Sequence, residues 1–380
     1  MTELEKTRGE IDEIDRQLTE LYLRRMNAVA RIAEEKAAAG KPVYDHARER
    51  AVLNRVTSAS DEAHSPYVRA LYKQIFALSR VYEAELMDSV SPLMKEIAAS
   101  CEEYAVKRFP KRALVACQGT EGAYAQQACE RLFEYPDILY FNQFDGVFTA
   151  VEKGMCDYGV LPVENTTAGS VGQVYDLMEH HRFSIARACG LRIDHRLMRR
   201  RGASGPIREI VSHEQALRQC SRFLNAHPEY TLTPMENTAL AAKHVAESGR
   251  DDLAVIASPE CAKLYALSVE SDTINNTVNN YTRFICISRQ LEIYPHASKI
   301  SVTCALPHRA GALNSVLTSL AIAGVNLSKL ESRPIPGLEG EYRFFFDLEA
   351  DPHDAEIMRV LRELERQTDR FMFLGAYGEM

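Results

Sequence analysis

The sequence predicts three successive domains: an all-α domain of three helices, a two-lobed α/β domain and an α+β domain. An apolar track with alternating spacings of three and four runs along residues 4–38, which indicates a long helix packed along a seam. Short apolar runs alternate with helical segments over residues 113–290, and from residue 299 the order becomes strand, helix, strand, strand, helix, strand. At 380 residues the chain is too long for a single core, so a multidomain protein is expected.

The predicted helical domain covers residues 1–92. Gly40 and Pro42 end its first helix, Asp45 is the expected N-cap of a second helix over 46–56, and Ser65-Pro66 begins a third that reaches about residue 90. Three helices cover such an apolar stripe poorly, so the sequence predicts an intertwined dimer. The stripe comprises Leu4, Ile11, Ile14, Leu18, Leu21, Ala28 and Ile32.

A predicted linker, residues 93–112, leads into the α/β domain at 113–290. Its expected strands are 113–117, 138–141, 157–163, 209–213, 230–234 and 252–256, enough for two small open sheets with a cleft between them. The third domain, 298–380, has strands at 299–306, 326–333, 342–350 and 371–377 and helices at 309–323 and 353–367. This βαββαβ order predicts a ferredoxin-like arrangement.

Composition excludes several classes of function. A net charge of −8 disfavours nucleic acid as a partner, so an anionic ligand must be held by local positive charge. Neither a signal-peptide core nor a run of 18 apolar residues occurs, so we expect a cytoplasmic protein without a membrane span. The nine cysteines are scattered without a CxxC pair, which indicates reduced thiols and no metal site. No cofactor is expected.

Cations occupy positions on the first helix where apolar packing is due. Arg25 lies on the apolar track, and a buried charge is costly unless something pairs with it. Lys36 lies ~20° around the helix from Arg25 and ~16 Å along it, so the two side chains can converge on one anion. Arg8 lies ~25 Å from Arg25 on another face, so an antiparallel partner helix would have to bring it there.

Further polar residues complete this pattern. Ser79 and Glu83 share a face of the third helix, and Asp45, Arg48 and Glu49 crowd the start of the second. Taken singly, each reads as a surface residue or a helix cap. Together with the cations of the first helix they resemble the pocket of the all-helical chorismate mutases, in register from residue 8 through residue 83.

The resemblance implies a pericyclic rearrangement of chorismate to prephenate, achieved by positioning and without a nucleophile or cofactor. It assigns the two substrate carboxylates to Arg25 and to Arg8 of the partner subunit, and the ether oxygen to Lys36 and Glu83. Arg48 and Asp45 would orient the substrate, with Glu49 on a substrate hydroxyl and Ser79 lining the pocket. Glu83 departs from the enteric members, which carry Gln there. Because an ionised Glu cannot donate a hydrogen bond, Glu83 must be protonated to act.

The α/β domain carries a second set of motifs. The turn Gln118–Tyr124 opens a helix, the run 162–171 follows a buried strand with hydrogen-bonding side chains, and Asn280–Phe284 leads into another strand. By composition alone Thr282 is an ordinary strand residue. Over 113–289, however, GTEGAY, VENTTAG, Asp194-His195, SHEQALRQC and NYTRF resemble prephenate dehydratase, whose motifs appear in this order.

This second resemblance implies loss of carbon dioxide and of the ring hydroxyl from prephenate to give phenylpyruvate, in a two-lobed fold similar to that of periplasmic binding proteins. It assigns acid assistance to Thr282, with Arg283 beside the substrate, while His195 and His213 stay open between a site role and a structural role. Ala125 and Glu214 depart from the usual family residues and weaken the assignment of nearby contacts. The expected lining residues are Glu164, Asn165, Thr166, Ser212, His213, Gln215, Thr282, Arg283 and Phe284.

The third domain carries two short motifs with plain structural meanings as turns. Gly311-Ala312-Leu313 opens its first helix, and Glu331-Ser332-Arg333-Pro334 ends its second strand. Together they resemble the GAL and ESRP motifs of the regulatory ACT domain. The resemblance implies that phenylalanine binds there, at a dimer interface, and inhibits the chain by favouring one arrangement of the subunits.

Three alternatives stay open. A non-catalytic amino-acid sensor would explain a two-lobed cleft with an ACT module, but it gives no reason to keep Arg25, Lys36 and Glu83 together. A dehydratase that prefers arogenate, the amino-acid analogue of prephenate, has no discriminating feature in the sequence. A nucleotide-binding sheet lacks an acidic ribose-binding residue at a convincing spacing after the glycine turn.

Overall fold

The computed structural model describes residues 2–41, 43–87, 91–306, 308–309, 311–335, 337–338 and 340–380. The N-terminal region is helical, as predicted. Its helices are α1 (Glu3–Ala38), α2 (His46–Ser58) and α3 (Ser65–Leu86). Side-chain oxygens of Thr2 and Asp45 cap α1 and α2 by accepting backbone N–H groups. Gly40 follows α1 with a φ of 60°, whereas Pro42 and the predicted end of the third helix at 88–90 lie outside the described residues.

The apolar stripe of α1 is uncovered in the single chain. The helix buries Val29 and Ala33, but most of the stripe faces outward. Exposed fractions of 51–60% are recorded for Leu4, Ile11, Ile14, Leu18 and Leu21. Because exposed apolar surface costs roughly 25 cal/mol per Å², this face is suited to contact with another apolar surface.

Part of the predicted linker is a helix, α4 (Pro92–Tyr104). Ser91 caps it by accepting a hydrogen bond from the N–H of Met94. Met94, Ile97 and Cys101 are buried in the core of the C-terminal domain. This segment therefore belongs to the packing of that domain and does not act as a free connection.

The first lobe of the α/β domain is built on a mostly parallel group of strands. Its elements are β1 (Arg112–Gln118), α5 (Tyr124–Leu132), β2 (Tyr135–Phe141), α6 (Phe144–Glu152), β3 (Tyr158–Asn165), β4 (Gly169–Ser170), α7 (Gly172–Leu177) and β5 (Ser184–Arg192). The three strands that the sequence predicted here are β1, β2 and β3, whereas β4 and β5 were not predicted.

The second lobe has its own sheet of five strands. The elements of the second lobe are β6 (Arg196–Arg200), β7 (Glu209–His213), α8 (Glu214–Gln219), α9 (Ser221–Asn225), β8 (Thr231–Met235), α10 (Thr238–Glu247), β9 (Leu253–Ala257), α11 (Pro259–Leu264) and β10 (Leu267–Val269). The strand order of its sheet is β10-β6-β9-β7-β8. The chain then returns to the first lobe through β11 (Tyr281–Ser288), which lies antiparallel between β3 and β5.

The C-terminal domain has the predicted order of elements. They are β12 (Lys299–Ala305), α12 (Ala312–Ile322), β13 (Asn326–Pro334), β14 (Tyr342–Glu349), α13 (Ala355–Gln367) and β15 (Asp369–Glu379). The strands are ordered β13-β14-β12-β15, and both helices pack on the apolar core that also receives α4. Within the described ranges, no helix has the length and apolar character needed to cross a membrane.

The sheets of the first lobe and of the C-terminal domain are joined. The end of β15 pairs in parallel with β5, so one sheet runs in the order β13-β14-β12-β15-β5-β11-β3-β1-β2. Gly375 of β15 has a φ of 148°, and a Cβ atom there would lie 2.3 Å from the backbone oxygen of Ile185. Only a residue without a side chain permits this approach.

We expect Gly375→Ala to lower the melting temperature of the whole chain, because the new methyl group meets backbone atoms that cannot move aside cheaply. Gly190→Ala is the matched control, since this glycine lies on the adjoining strand β5 and has open space around its Cβ position. Thermal unfolding followed by circular dichroism compares the two variants. Equal melting temperatures would contradict the importance of this close approach.

Candidate active sites and effector region

The cations of α1 meet polar side chains of α3 inside the helical domain. Arg25 donates a hydrogen bond from Nη1 to Ser79 Oγ. Lys36 Nζ lies 2.6 Å from Glu83 Oε1 and donates to the backbone oxygen of Val43 at 2.5 Å. Ser79 and Glu83 are 6% and 7% exposed. Four of the predicted mutase residues are therefore assembled in one partly buried cluster.

The predicted residues of α2 behave differently from one another. Glu49 forms an ion pair with Arg80, with Nη1 and Oε1 2.5 Å apart, and Arg80 lies over the ring of Tyr44 at 5.0 Å. Arg80 was not predicted as a site residue, because nothing in the sequence distinguishes it from other charged residues of α3. Asp45 and Arg48 are exposed, and the Asp45 carboxylate accepts the backbone N–H of Arg48, which is a capping role.

Arg8 is separate from this cluster. It is exposed near the start of α1, and 17 residues of helical rise place it ~25 Å from Arg25. Within one chain it does not join the other predicted mutase residues.

The cleft of the α/β domain contains an ordered hydrogen-bond network around Thr282. Asn165 Nδ2 donates to Thr282 Oγ1 at 2.9 Å and to Asn280 Oδ1 at 2.8 Å. The backbone N–H groups of Thr167 and Ala168 donate to Asn165 Oδ1 at 3.0 and 2.9 Å. These bonds determine which side of the amide faces Thr282, so the Thr282 oxygen is an acceptor here. Among the described residues, none is recorded as an acceptor for the Thr282 proton.

Gln219 and Asn280 extend this network. Both lie in the sequence motifs, but neither was predicted as a site residue. Gln219 donates to Asn165 Oδ1 at 3.3 Å, and its carbonyl oxygen accepts from Asn280 at 3.2 Å. His195 Nε2 lies 3.1 Å from the same carbonyl oxygen. Burial lowers the pKa of His195 to about 4, so the ring is neutral at pH 7 and Nε2 donates. His195 therefore holds the Gln219 side chain in place by a hydrogen bond and does not line the cavity itself.

A cavity of about 390 Å³ lies beside this network. Its lining comes from Thr167 and Ala168, from residues 275–277 and Asn280, and from three residues of α8: Gln215, Arg218 and Gln219. Of the residues predicted to line the cleft, Gln215 does so. Arg218 belongs to the SHEQALRQC motif but was not predicted to line the cleft. Residues 275–277 were not predicted, because only the fold brings them beside the motifs.

Several predicted lining residues lie elsewhere. Ser212 is fully buried and donates to the backbone oxygen of Ile256. Phe284 is packed in the apolar core of the first lobe. The Thr166 hydroxyl fixes the start of β11, because it donates a hydrogen bond to the backbone oxygen of residue 279 and accepts one from the backbone N–H of residue 281. His213 caps α8 through Nδ1, and burial lowers its pKa. These side chains are used for packing, capping and turns, and none of the four is among the residues that line the cavity.

Glu164 and Arg283 were predicted to line the cleft, but their side chains point toward the C-terminal domain. They are paired across β3 and β11, and their side chains point away from the cleft because alternate residues of a strand face opposite sides. Glu164 lies 3.2 Å from Lys329 Nζ. Arg283 Nη1 lies 2.5 Å from Asp347 Oδ2, and Nη2 donates to Tyr377 Oη at 2.7 Å. Both residues therefore contact the C-terminal domain.

The guanidinium of Arg283 is buried among side chains of the C-terminal domain. Its side chain is 14% exposed, and that of Asp347 is 10% exposed. Burial alone would lower the pKa of Arg283, but Tyr377 and Asp347 raise it. Ser301 donates to the other Asp347 oxygen at 2.5 Å. A cation next to Thr282 in the chain is thus held by the C-terminal domain.

The two predicted effector motifs lie on different faces of the C-terminal domain. Gly311 has a φ of 88° and precedes α12. Ala312 borders a cavity of about 840 Å³ between the helical and C-terminal domains, whereas Leu313 packs on the core. Arg309 donates to Tyr44 Oη at 3.2 Å across that cavity.

The second motif alternates along β13. Glu331 accepts a hydrogen bond from Ser170, and Arg333 Nη2 lies 2.8 Å from Asp176 Oδ1. Both side chains therefore contact the first lobe. Ser332 and Pro334 face the other side of the strand and are exposed. The motif is consequently divided between an interdomain face and a free face.

Comparison with known proteins gives each region a family. Residues 7–84 match the model of chorismate mutase type II, residues 115–292 that of prephenate dehydratase and residues 300–366 that of the ACT domain. These matches define an enzyme that joins a mutase, a dehydratase and an ACT domain. The bifunctional chorismate mutase/prephenate dehydratase of Escherichia coli K12 is 31% identical over 97% of this chain and 95% of its own length. The chain belongs to this bifunctional family.

Other similar proteins cover part of the chain. Arogenate dehydratase/prephenate dehydratase 2 of Arabidopsis thaliana is 32% identical over 78% of this chain and 81% of its own length. A prephenate dehydratase from Arthrobacter aurescens, solved with L-Phe, has a TM-score of 0.63 at 27% identity and covers 70% of this chain and 90% of that one. The quorum quenching acylase GqqA has a TM-score of 0.64 at 28% identity, covering 70% and 98%.

Proposed function

We propose that this chain converts chorismate to prephenate in the helical domain and prephenate to phenylpyruvate in the α/β cleft, under inhibition by phenylalanine. The observation that carries the proposal is the presence of two separate polar clusters, one joining Lys36 to Glu83 and the other joining Asn165 to Thr282. Each lies in the domain whose family model names the corresponding reaction.

In the mutase site, Arg25 and the partner subunit's Arg8 hold the two carboxylates of chorismate. Lys36 and Glu83 contact the ether oxygen, where negative charge develops as the bond breaks. Arg80 holds Glu49 in place for a substrate hydroxyl, and Asp45 orients the start of α2 so that Arg48 faces the substrate. The enzyme acts by holding the compact conformer of its substrate.

The proposal requires a second copy of the chain. The uncovered stripe on α1 supports an intertwined dimer, because a second copy carries an equally apolar and equally long face. An antiparallel α1 from that copy would bring Arg8 across the ~25 Å that separates it from Arg25. The strand order of the C-terminal domain likewise supports a ferredoxin-like ACT fold.

In the dehydratase site, Thr282 assists the departing hydroxyl of prephenate. Because Asn165 donates to the Thr282 oxygen, the hydroxyl of Thr282 directs its own proton into the cleft. That proton forms a hydrogen bond with the ring oxygen as the carbon–oxygen bond breaks and carbon dioxide leaves. Formation of the aromatic ring supplies most of the driving force.

Phenylalanine binding is proposed at the Gly311–Leu313 turn and at the free face of the 331–334 motif. The A. aurescens neighbour solved with L-Phe supports this choice of effector. Glu331 of the motif contacts Ser170 of β4, and Lys329 of the same strand contacts Glu164 of β3, the strand that ends at Asn165. Deleting the C-terminal domain is a poor test, because α4, β5 and Arg283 pack against it.

The two activities are tested by supplying chorismate to the purified chain and following prephenate and phenylpyruvate, with and without phenylalanine. We expect Thr282→Ala to abolish phenylpyruvate formation and to leave mutase turnover intact. Asn165→Ala should lower the dehydratase kcat without changing the mutase, because the Thr282 hydroxyl loses its orientation. Parallel loss of both activities in Thr282→Ala would overturn the assignment of two separate sites.

We expect Glu83→Gln to retain mutase turnover, because the amide of Gln can donate a hydrogen bond to the ether oxygen. Glu83→Ala should lose most of it, because the side chain beside Lys36 is then removed. Dehydratase turnover of added prephenate serves as the control in each sample. Wild-type mutase turnover in Glu83→Ala would show that Glu83 does not contact the ether oxygen.

Mixed dimers test whether Arg8 acts across subunits. Arg8→Gln and Arg25→Gln should each lose most mutase activity when expressed alone. Co-expression should restore about a quarter of wild-type activity, because half of the dimers are mixed and each mixed dimer carries one intact site. A co-expressed sample no more active than the average of the two variants would contradict a shared site.

A further inference from the structure

The cavity beside the Asn165–Thr282 network has one charged side chain among its described lining residues. Among the described residues that line the cavity beside Thr282, Arg218 is the one ionised group, and the others present amides, hydroxyls or a methyl group. The cation predicted from the sequence, Arg283, lies on the opposite face of β11 and is paired with Asp347. Glu164 also points away, toward Lys329. The cavity thus has a cation and no lining carboxylate.

The backbone of Arg218 is fixed relative to the Thr282 network. Asn276 Nδ2 donates to the carbonyl oxygen of Arg218 at 3.0 Å. The next residue, Gln219, donates to Asn165, which in turn donates to Thr282. Because Arg218 lies on α8 and lines this cavity, its long side chain can reach a substrate that contacts the Thr282 hydroxyl.

The guanidinium of Arg218 is available to a ligand. Its side chain is 72% exposed, and the nearest carboxylate oxygen, on Glu214 one turn earlier, is 3.8 Å away. This distance exceeds that of a hydrogen bond, and an exposed pair of this kind contributes little. The N–H groups of Arg218 can thus turn to a carboxylate that enters the cleft, where planar Arg–carboxylate pairing is favourable.

We propose that Arg218 binds a carboxylate of the dehydratase substrate and selects prephenate over arogenate, an inference that rests on the proposed dehydratase function. Prephenate carries two carboxylates and a ketone. Arogenate has an ammonium group in place of the ketone oxygen, so its net charge is less negative by one. A cavity lined by one cation and no carboxylate attracts the more anionic substrate and leaves the ammonium group unpaired.

The test is steady-state kinetics of Arg218→Gln with prephenate and with arogenate. We expect kcat/KM for prephenate to fall about tenfold or more, mainly through KM, while kcat/KM for arogenate falls less. Arg218→Lys should recover part of the loss. The wild-type KM for prephenate should rise with ionic strength more steeply than that of Arg218→Gln.

Two matched variants separate binding from structure. Arg201→Gln removes the same charge from an exposed arginine outside the cavity, and it should retain wild-type kinetics. Glu214→Gln removes the neighbouring carboxylate and should leave the prephenate KM unchanged or lower it. A wild-type KM in Arg218→Gln, or an equal loss in Glu214→Gln, would overturn the inference. A wild-type chain that forms no phenylpyruvate from prephenate would overturn the proposed function itself.

Discussion

The buried pairing of Arg283 with Asp347 is the interaction on which the arrangement of the catalytic and C-terminal domains depends. Arg283 follows Thr282 on β11, so the two side chains face opposite sides of one strand. A guanidinium that is 14% exposed is tolerable only with a charge partner, and its partners are Asp347 of β14 and Glu379 of β15. The strand that presents the proposed catalytic hydroxyl is therefore held from behind by the proposed regulatory domain.

The continuous sheet connects the C-terminal domain to the strand of Thr282 through backbone hydrogen bonds. Because β15 pairs with β5 and β5 pairs with β11, a displacement of the C-terminal domain is transmitted through backbone hydrogen bonds to the strand of Thr282. The contact between Glu331 and Ser170 adds a second link, near Asn165. The strand pairing leads to Thr282, and the contact between Glu331 and Ser170 leads to the neighbourhood of Asn165. Together they provide a short physical route from the proposed effector site to the proposed catalytic group.

The sequence predicted element order far better than side-chain direction. The C-terminal βαββαβ order and the three N-terminal helices followed from periodicity, which reports local burial. Arg25 was found because a charge on an apolar seam is conspicuous, whereas Lys36 and Glu83 were assigned to one site through the resemblance to the chorismate mutases. Arg283 and Glu164 were misassigned because a motif in the sequence does not say which strand face is the cleft. Gln219 and Asn280 lie inside quoted motifs but were not assigned to the site, because their roles arise from contacts between distant segments.

The two proposed sites differ in charge in the way that their reactions require. In the rearrangement of chorismate, negative charge develops on an oxygen between two fixed carboxylates, so cations clustered on a helical seam stabilise the transition state directly. In the dehydration of prephenate, the ring becomes aromatic as carbon dioxide leaves, and the site has to orient one proton. Amides suit this task, because Asn165, Gln219 and Asn280 determine the direction of a hydroxyl without placing a further charge beside it.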